Sequence, residues 1–238
     1  MTAWDDPSTW SVVVTGGSSG LGAATCDRLR TAGAQVVSLD RRPAEGGVAG
    51  GSTATEVVDL ADPDAAAAAT ERAVDQLGGV DAVICCAGVD VPGELLAVDP
   101  KEWRRVVEIN LFGTASVVRA ALPGLLERQG RVVTVASTLA HKAVSDATAY
   151  CASKFGVVGF TRALTAELKG RVGVTMLTPG GMHTSFFDER DEQYKPPADA
   201  VLADPGDVAD TLVWVLSRPA GIEVRELAVM APVEGSWP

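Results

Sequence analysis

The sequence predicts an α/β protein built on one doubly wound parallel sheet with helices on both faces. Short, mainly apolar runs, such as residues 11–14 and 81–86, alternate with longer segments of helical spacing. The runs are apolar at nearly every position, which is typical of strands buried on both faces. No internal repeat or long linker divides the 238 residues, so we expect residues 1–238 to form a single domain.

Stop signals separate the elements of the amino-terminal half. The predicted strand at residues 11–14 runs into a glycine-rich turn, and the predicted helix at 21–32 ends at Gly33, a residue favoured just beyond helix C-termini. A second strand, at 35–39, stops at Asp40.

A loop rich in glycine and alanine follows at residues 41–53, and a short strand at 56–58. The next helix should begin at Pro63 and run to about residue 77. Asp62 can cap the free amides of its first turn, and proline suits the first helical position.

The carboxyl-terminal half continues the alternation. We expect Pro123 to kink or end a segment of its long helix, because proline removes a helical hydrogen bond. Residues 183–203 are charged, contain two adjacent prolines and lack periodicity, which predicts a mobile loop. The other elements are strands at 81–86, 131–136, 172–177 and 224–230, and helices at 100–128, 145–169 and 207–216.

The composition narrows the range of partners. A formal net charge of −11 argues against nucleic acid and anionic membranes, because both repel an acidic protein. No apolar run reaches the roughly 18 residues of a membrane helix, and the polar, acidic start is unlike a signal peptide. The four cysteines lack metal-ligand spacing, so we expect reduced thiols, no metal site and a cytoplasmic protein.

A glycine-rich segment joins the first strand to the first helix. Gly16, Gly20 and Gly22 would let the backbone approach a pyrophosphate resting on the helix N-terminus. The spacing differs from the common Gly-x-Gly-x-x-Gly pattern, and a plain turn is the alternative interpretation. The position directly after the first apolar strand favours nucleotide binding.

Asp40 lies 24 residues after Gly16 (40 minus 16), where a carboxylate is expected to accept hydrogen bonds from an adenosine ribose. Such a carboxylate would repel a 2′-phosphate, which favours NAD as the cofactor. Arg41 and Arg42 follow it directly and favour that phosphate, so NADP is the alternative.

Tyr150 and Lys154 lie four residues apart in a predicted helix, so both project from one helix face. A nearby ammonium favours the phenolate form of a tyrosine, whose usual pKa is about 10, and tyrosine can serve in general acid–base catalysis. Taken alone, the pair is better explained as part of an ordinary half-buried helix face. The neighbouring motifs give it meaning.

These motifs occur in an order that resembles the classical short-chain dehydrogenase/reductase family, from about residue 11 to residue 216. The resemblance implies a Rossmann-type fold and an oxidoreductase that moves hydride between nicotinamide and a small secondary alcohol or ketone. Besides the glycine loop and the Tyr150–Lys154 pair, it rests on Asp59-Leu60, Ala87-Gly88, Asn110, Ser137 and Pro179-Gly180.

The resemblance implies a role for each catalytic residue. Tyr150 would exchange a proton with the substrate oxygen, and Lys154 would lower the tyrosine pKa and hold the nicotinamide ribose. Ser137 would hydrogen-bond the substrate oxygen. Asn110 would distort its helix and help to hold a proton-relay water.

The resemblance also implies a cofactor site. Asp59 would contact the adenine amino group, and Thr184 would bind the cofactor carboxamide. The expected cofactor-binding residues are Gly16, Ser18, Ser19, Gly20, Leu21, Asp40, Arg41, Asp59, Leu60, Ala87, Gly88, Tyr150, Lys154, Pro179, Gly180 and Thr184.

One feature departs from the family pattern, and another does not identify the substrate. Cys85-Cys86 stand where the family usually has two asparagines that brace the centre of the sheet. Residues 183–203 are expected to form a substrate lid, but they match no substrate pocket closely enough to name a substrate.

Other functions fit the residues less well. A catalytically silent NAD(H)-binding regulatory protein is the alternative, but it would have no use for Ser137, Tyr150, Lys154 and Asn110 together. A methyltransferase is disfavoured because it leaves the Tyr150–Lys154 pair without a role.

The predicted helices at 100–128 and 145–169 carry more apolar surface than one sheet face needs. In the resembling family these helices pack against twofold mates, so we expect a homodimer or homotetramer. The large apolar side chains concerned are Trp103, Phe112, Phe155 and Phe160.

Overall fold

The computed structural model describes residues 4–43 and 54–238, so the predicted loop at 41–53 lies mainly outside it. Its strands are β1 (Ser11–Thr15), β2 (Gln35–Asp40), β3 (Ala54–Val57), β4 (Ala82–Cys85), β5 (Arg131–Val135), β6 (Gly173–Pro179) and β7 (Glu226–Val229). They form one parallel sheet in the order β3-β2-β1-β4-β5-β6-β7.

Helices cover both faces of this sheet, as predicted. They are α1 (Gly20–Thr31), α2 (Pro63–Leu77), α3 (Pro100–Val107), α4 (Thr114–Arg128), α5 (Thr148–Leu168) and α6 (Pro205–Leu216). Alternate residues of β1 enter different cores: Val13 packs in the core that includes residues of α2, α4 and α5, whereas Val12 and Val14 pack in the core that includes residues of α1 and α6. The fold is therefore a doubly wound Rossmann-type sheet.

The strand order reverses between β1 and β4, so the carboxyl ends of these two strands lie side by side. Thr15 pairs with Cys85 in the parallel register. Beyond that pair, the Thr15 hydroxyl accepts a hydrogen bond of 3.0 Å from the Ala87 amide. A crevice at such a switch point is where ligands bind in open α/β sheets.

Most predicted helix boundaries are confirmed. Asp62 caps α2 by accepting bonds from two first-turn amides, with Pro63 at the first helical position. Gly33 follows α1 with φ of +98°. Helix α5 begins at Thr148, later than the predicted residue 145, because Asp146 has φ of +57° and a right-handed helix cannot pass through that conformation.

The prediction for Pro123 is wrong. This residue lies inside α4, which continues through it from Thr114 to Arg128. The long helix is interrupted instead by a π-helical segment, Glu108–Gly113, which contains Asn110. Such π segments are held by side chains that bond outside the helix, and Asn110 makes such bonds.

The stretch Pro100–Arg128 is, by length and composition alone, apolar enough to cross a membrane. In the structure, 44% of its most apolar window is buried. Val117, Val118 and Leu125 belong to the core on that side of the sheet. The stretch thus serves as a core element.

Candidate active site

Two glycines shape the loop after β1. A Cβ atom on Gly16, whose φ is +75°, would come within 2.9 Å of the Ala87 backbone. A Cβ atom on Gly22 would lie 2.0 Å from the Gly16 carbonyl oxygen. No side chain can occupy either position without moving the backbone, so the loop closes tightly over the end of β1.

The rest of the loop presents backbone to the crevice. Gly20 begins α1 with φ of +53°, and Ser19 precedes it without a side-chain capping bond. Thr184, at the start of the predicted lid, lies against this turn: its methyl carbon is 3.3 Å from a Cβ built on Gly20. Leu21 is buried beneath the loop.

Asp40 ties the loop to the end of β2. One carboxylate oxygen accepts a 3.0 Å hydrogen bond from the Ser18 amide, and the other accepts a 3.1 Å bond from the Arg42 amide. Arg41 and Arg42 are both exposed. The carboxylate therefore stands at the end of β2 with its position set by two backbone donors.

Asp59 and Leu60 follow β3 near this edge. Asp59 accepts a 3.0 Å bond from the Ala61 amide and pairs with Arg105 at 2.8 Å. Burial raises its pKa, but these two hydrogen bonds and the charges of Arg105 and Arg41 outweigh burial and hold the pKa below the usual value. The Leu60 carbonyl lies against Gly113, where a Cβ would be 2.8 Å away.

Asn110 and Ser153 form one part of the floor of the crevice. Asn110 is 1% exposed, and its side chain pairs with the Val89 backbone, accepting from the amide at 2.8 Å and donating to the carbonyl at 2.9 Å. Its amide also donates to Ser153 Oγ at 3.0 Å. These bonds hold the segment after Ala87-Gly88. Asn110 therefore braces this segment, although Cys85-Cys86 replace the two asparagines that are usual in the family.

Cys85 and Cys86 lie on opposite faces of the sheet, because successive residues of a strand point to opposite faces. Cys85 packs in the core beside α2 and α4, and Cys86 packs against the core beside α1. All four thiols are free. The paired asparagine amides of the family are replaced here by apolar packing.

Lys154 completes the floor. Its ammonium is 4% exposed, donates to the Val135 carbonyl at 2.8 Å and lies 5.7 Å from the centre of the Tyr150 ring. Burial lowers the pKa of Lys154 to about 8, and the thiols of Cys86 and Cys85 act weakly in the opposite direction. We call Asn110, Ser153 and Lys154 the crevice floor, or simply the floor.

Tyr150 stands over this floor beside Ser137. Burial raises the pKa of the phenol to about 12, and a hydrogen bond with the Ser137 side chain opposes the rise. Ser137 Oγ also accepts from the Leu139 amide at 3.1 Å, which orients it at the end of β5. Tyr150, Ser137 and Lys154 are thus brought together as the sequence predicted.

Pro179 and Gly180 lie at the end of β6, where the Gly180 amide donates to Val229 of β7 at 3.0 Å. Thr184 starts a short helical turn, Ser185–Phe187. The lid, residues 183–203, leads on from there. Its two ends are joined by a bridge between Met182 and Ala203.

The structure adds two residues that sequence reasoning missed. Arg190 of the lid pairs with Asp90 at 2.9 Å, and their side chains are only 15% and 4% exposed. Phe186 links this pair to the crevice: its ring centre lies 5.8 Å from that of Tyr150 and 4.8 Å from the Arg190 guanidinium carbon. We call Asp90 and Arg190 the lid pair.

Burial disfavours the charged form of each member of the lid pair. Burial raises the pKa of Asp90, while Arg190 and the Val91 amide oppose that rise. Burial lowers the pKa of Arg190, opposed by Asp90 and Tyr150. A sequence signal existed: Arg190 is the single basic residue in the run 188–192, which is otherwise acidic.

Comparison with known proteins shows which family and which proteins this chain is similar to. A family model described as short chain dehydrogenase matches residues 11–195. The short-chain reductase protein NovJ of Streptomyces niveus is 32% identical over 232 residues, covering 88% of this chain and 87% of NovJ. Glycine betaine reductase ATRR of Emericella nidulans is 30% identical over 231 residues, 91% of this chain, but the chain spans only 18% of that relative.

A solved structure agrees with these matches. The chain resembles a short chain dehydrogenase from Burkholderia cenocepacia J2315, solved in complex with NADP, with a TM-score of 0.81 and 26% identity over 92% of this chain and 96% of that one. The family model alone spans more than three quarters of the sequence. The chain therefore belongs to the short-chain dehydrogenase family of oxidoreductases.

Proposed function

We propose that the protein is an NAD(P)-dependent oxidoreductase that interconverts a secondary alcohol and a ketone. The observation that carries the proposal is the convergence of Ser137, Tyr150 and Lys154 beside the glycine loop, although they come from β5 and α5. No observation favours the silent regulatory alternative, which would leave this convergence without a use.

The loop fits the pyrophosphate of a dinucleotide. The positions of Gly16 and Gly22 exclude a Cβ, so backbone amides at the start of α1 can approach phosphate oxygens. Thr184 against Gly20 is positioned to serve the far end of the cofactor. When bound, the nicotinamide would supply the hydride acceptor or donor.

The remaining predicted contacts follow from position. Asp59 and Leu60 would contact the adenine, Ala87 and Gly88 would contact the cofactor beside Gly16, and Pro179 and Gly180 would contact it next to the lid. The Lys154 ammonium nitrogen lies 3.5 Å from a Cβ built on Gly88, so it is beside a predicted cofactor-binding residue. From there Lys154 would hold the ribose hydroxyls.

The proton is handled by the chain itself. A phenol with a pKa of about 12 is protonated at neutral pH, so Tyr150 is ready to donate to a ketone oxygen. For alcohol oxidation it must first lose that proton. Lys154, with a pKa of about 8, is mostly protonated at pH 7, and its ammonium, 5.7 Å from the centre of the Tyr150 ring, would favour the phenolate, although burial dominates the phenol pKa in this structure. Ser137 would hold the substrate oxygen during transfer.

Substitution of the phenol oxygen tests this proposal. Tyr150→Phe should lower kcat for oxidation of a panel of secondary alcohols by about 10²–10⁴-fold, with nearly unchanged cofactor affinity. Tyr194→Phe, the matched change at the other tyrosine of the chain, should leave kcat within about twofold. Activity of Tyr150→Phe above about a tenth of the unmodified enzyme would exclude this proton-transfer role.

We also propose NAD in preference to NADP. The fixed carboxylate of Asp40 would meet a 2′-phosphate, and like-charge contact of this kind costs several kcal/mol. The positive charge of Arg41 also attracts the Asp59 carboxylate, which competes with a 2′-phosphate for that charge. The Burkholderia cenocepacia relative was solved with NADP, which keeps the choice a question for this chain.

The cofactor preference is measured by kcat/KM with each nucleotide. We expect at least tenfold in favour of NAD, or about 1.4 kcal/mol. Asp40→Ala should narrow or reverse that ratio, whereas the matched change Asp27→Ala on α1 should not. Equal use of both cofactors by the unmodified enzyme would show that Arg41 or Arg42 overrides the carboxylate.

We further propose a cytoplasmic, single-domain protein that assembles as a homodimer or homotetramer through α4 and α5. Phe112 in the π segment before α4 and Phe155 on α5 are 54% and 46% exposed, although Phe160 packs against the core. Exposed aromatic side chains of this kind are typical of interfaces. A strictly monomeric mass by light scattering at micromolar concentration would contradict the assembly.

A further inference from the structure

The lid pair has an incomplete set of hydrogen bonds. Arg190 reaches Asp90 through one contact, from Nη2 to Oδ2 at 2.9 Å. Among residues 4–43 and 54–238, two buried side-chain atoms have no hydrogen-bond partner, and both belong to this pair: Asp90 Oδ1 and Arg190 Nε. Most buried polar atoms in proteins are bonded, so this exception calls for a physical explanation.

The geometry of the pair makes the deficit specific. A guanidinium can meet a carboxylate side-on, with Nε and Nη2 donating to the two oxygens in parallel. That arrangement would satisfy both orphan atoms without any third group. Here only the outer bond forms, and Arg190 Nη1 turns to the Tyr194 carbonyl at 3.4 Å. One donor and one acceptor are left open on the same pair.

The pair borders the reacting centre. The Arg190 guanidinium carbon lies 4.8 Å and 4.7 Å from the ring centres of Phe186 and Phe187. The Phe186 ring contacts Tyr150 on its other side. Asp90 belongs to the segment after β4 that Asn110 holds through Val89. Phe186 therefore lies between Tyr150 and the lid pair, and a substrate oriented by Tyr150 would reach the buried atoms Asp90 Oδ1 and Arg190 Nε once Phe186 and the lid move aside.

The open donor and acceptor select among chemical groups. A hydroxyl can accept from Arg190 Nε and donate to Asp90 Oδ1 at once. A carboxylate would be repelled by Asp90, an ammonium would be repelled by Arg190, and an alkyl group would leave both atoms unbonded. A neutral hydroxyl satisfies both atoms, as a water molecule would in the absence of substrate.

We propose that Asp90 and Arg190 bind a second hydroxyl of the substrate, so that the enzyme acts on diols or hydroxyketones in preference to simple secondary alcohols. This rests on the proposed function. The reacting carbinol would give its hydride to the bound nicotinamide and its hydroxyl proton to the Tyr150 phenolate, whereas the second hydroxyl keeps all its bonds. The lid pair is thus a specificity-determining site.

Matched substrates test the proposal without any variant. We compare kcat/KM for 2,3-butanediol with that for 2-butanol, and for 2,4-pentanediol with that for 2-pentanol, each corrected for the number of reactive hydroxyls. At least one diol should be favoured about tenfold or more, since a site built for a hydroxyl discriminates against the analogue that lacks it. Parity in both pairs overturns the proposal and indicates that water alone fills the site.

A double variant assigns the preference to the pair. Asp90→Leu with Arg190→Met replaces both charges by apolar groups, a change that buried ion pairs often tolerate. The diol-to-alcohol ratio should then fall to within about threefold of unity. The control Glu192→Leu with Lys195→Met removes an exposed ion pair of the same lid and should retain the ratio. A ratio that survives loss of the lid pair overturns the assignment.

Charged substrates complete the test. Preference for a hydroxy acid or an amino alcohol over the diol would show that Arg190 or Asp90 acts alone, and would overturn the proposal. Failure of the underlying function gives a different result, because neither the diols nor the simple alcohols would then be oxidised with NAD or NADP.

Discussion

The crevice floor and the lid pair both bury charge near Tyr150, but they differ in how completely that charge is hydrogen-bonded. In the floor, Asn110 bonds to the Val89 backbone and to Ser153, and Lys154 donates one of its three N–H groups to the Val135 carbonyl. In the lid pair, one acceptor and one donor have no partner. Each side chain of the floor therefore has a partner within the protein, whereas the lid pair leaves two buried atoms that we propose a substrate hydroxyl satisfies.

The difference follows from where the residues lie. The floor is made by α5 and the π segment packed on β5, elements that the core holds in place. The lid consists of short turns and loops that begin and end at one bridge. A core element can satisfy its polar groups permanently, but a segment that must admit substrate leaves some groups for the substrate to satisfy.

The largest expected effect comes from breaking the floor. Asn110→Ala leaves the amide and carbonyl of Val89 without partners in a buried place, so the free energy of unfolding should fall by about 2–4 kcal/mol. Urea denaturation measures it. The control Gln76→Ala removes an exposed amide and should cost less than about 0.5 kcal/mol. A loss below about 1 kcal/mol for Asn110→Ala would mean that the floor is not held as described.

A smaller effect concerns the buried charge of Lys154. Its pKa of about 8 in the folded protein lies below the value of about 10.4 expected when unfolded, so between these values the unfolded chain binds more protons. Stability therefore increases with pH over this window. Relative to Lys154→Met, the unmodified protein should gain about 1–3 kcal/mol from pH 8 to pH 10.

Urea titrations at several pH values, taken as the difference between the two proteins, isolate this contribution from other groups. The control Lys101→Met, at an exposed position, should show no such pH-dependent difference. A difference that is flat from pH 8 to pH 10 would mean that Lys154 keeps its proton in the folded state.

The smallest effect concerns the lid. Hydrogen exchange of residues 183–203 should slow when NAD and a secondary alcohol bind, by about tenfold at ligand concentrations tenfold above Kd. Amides of the floor, in α5 near Lys154, should change less because they are already protected by the core. Equal protection of the lid with and without ligands would remove the distinction between the two regions.

Local chemistry in the sequence was sufficient for much of this protein. Alternating apolar runs predicted the doubly wound sheet, Asp62 and Pro63 predicted the start of α2, and the glycines after β1 predicted a tight loop that the structure confirms. Tyr150 and Lys154 were found because their spacing is a property of the helix itself. These features depend on neighbours in the chain, which the sequence displays directly.

Other features depend on contacts between distant residues, and only the tertiary structure decided them. We expected Pro123 to kink or end its helix, but the helix is interrupted at the π segment that contains Asn110. The side chain of Asn110 bonds to Val89, which is 21 positions away in the sequence. Asp90 and Arg190 are 100 residues apart, and nothing near either one indicates the other. Their burial, and the open donor and acceptor that it creates, arise only when the lid folds over the end of β4.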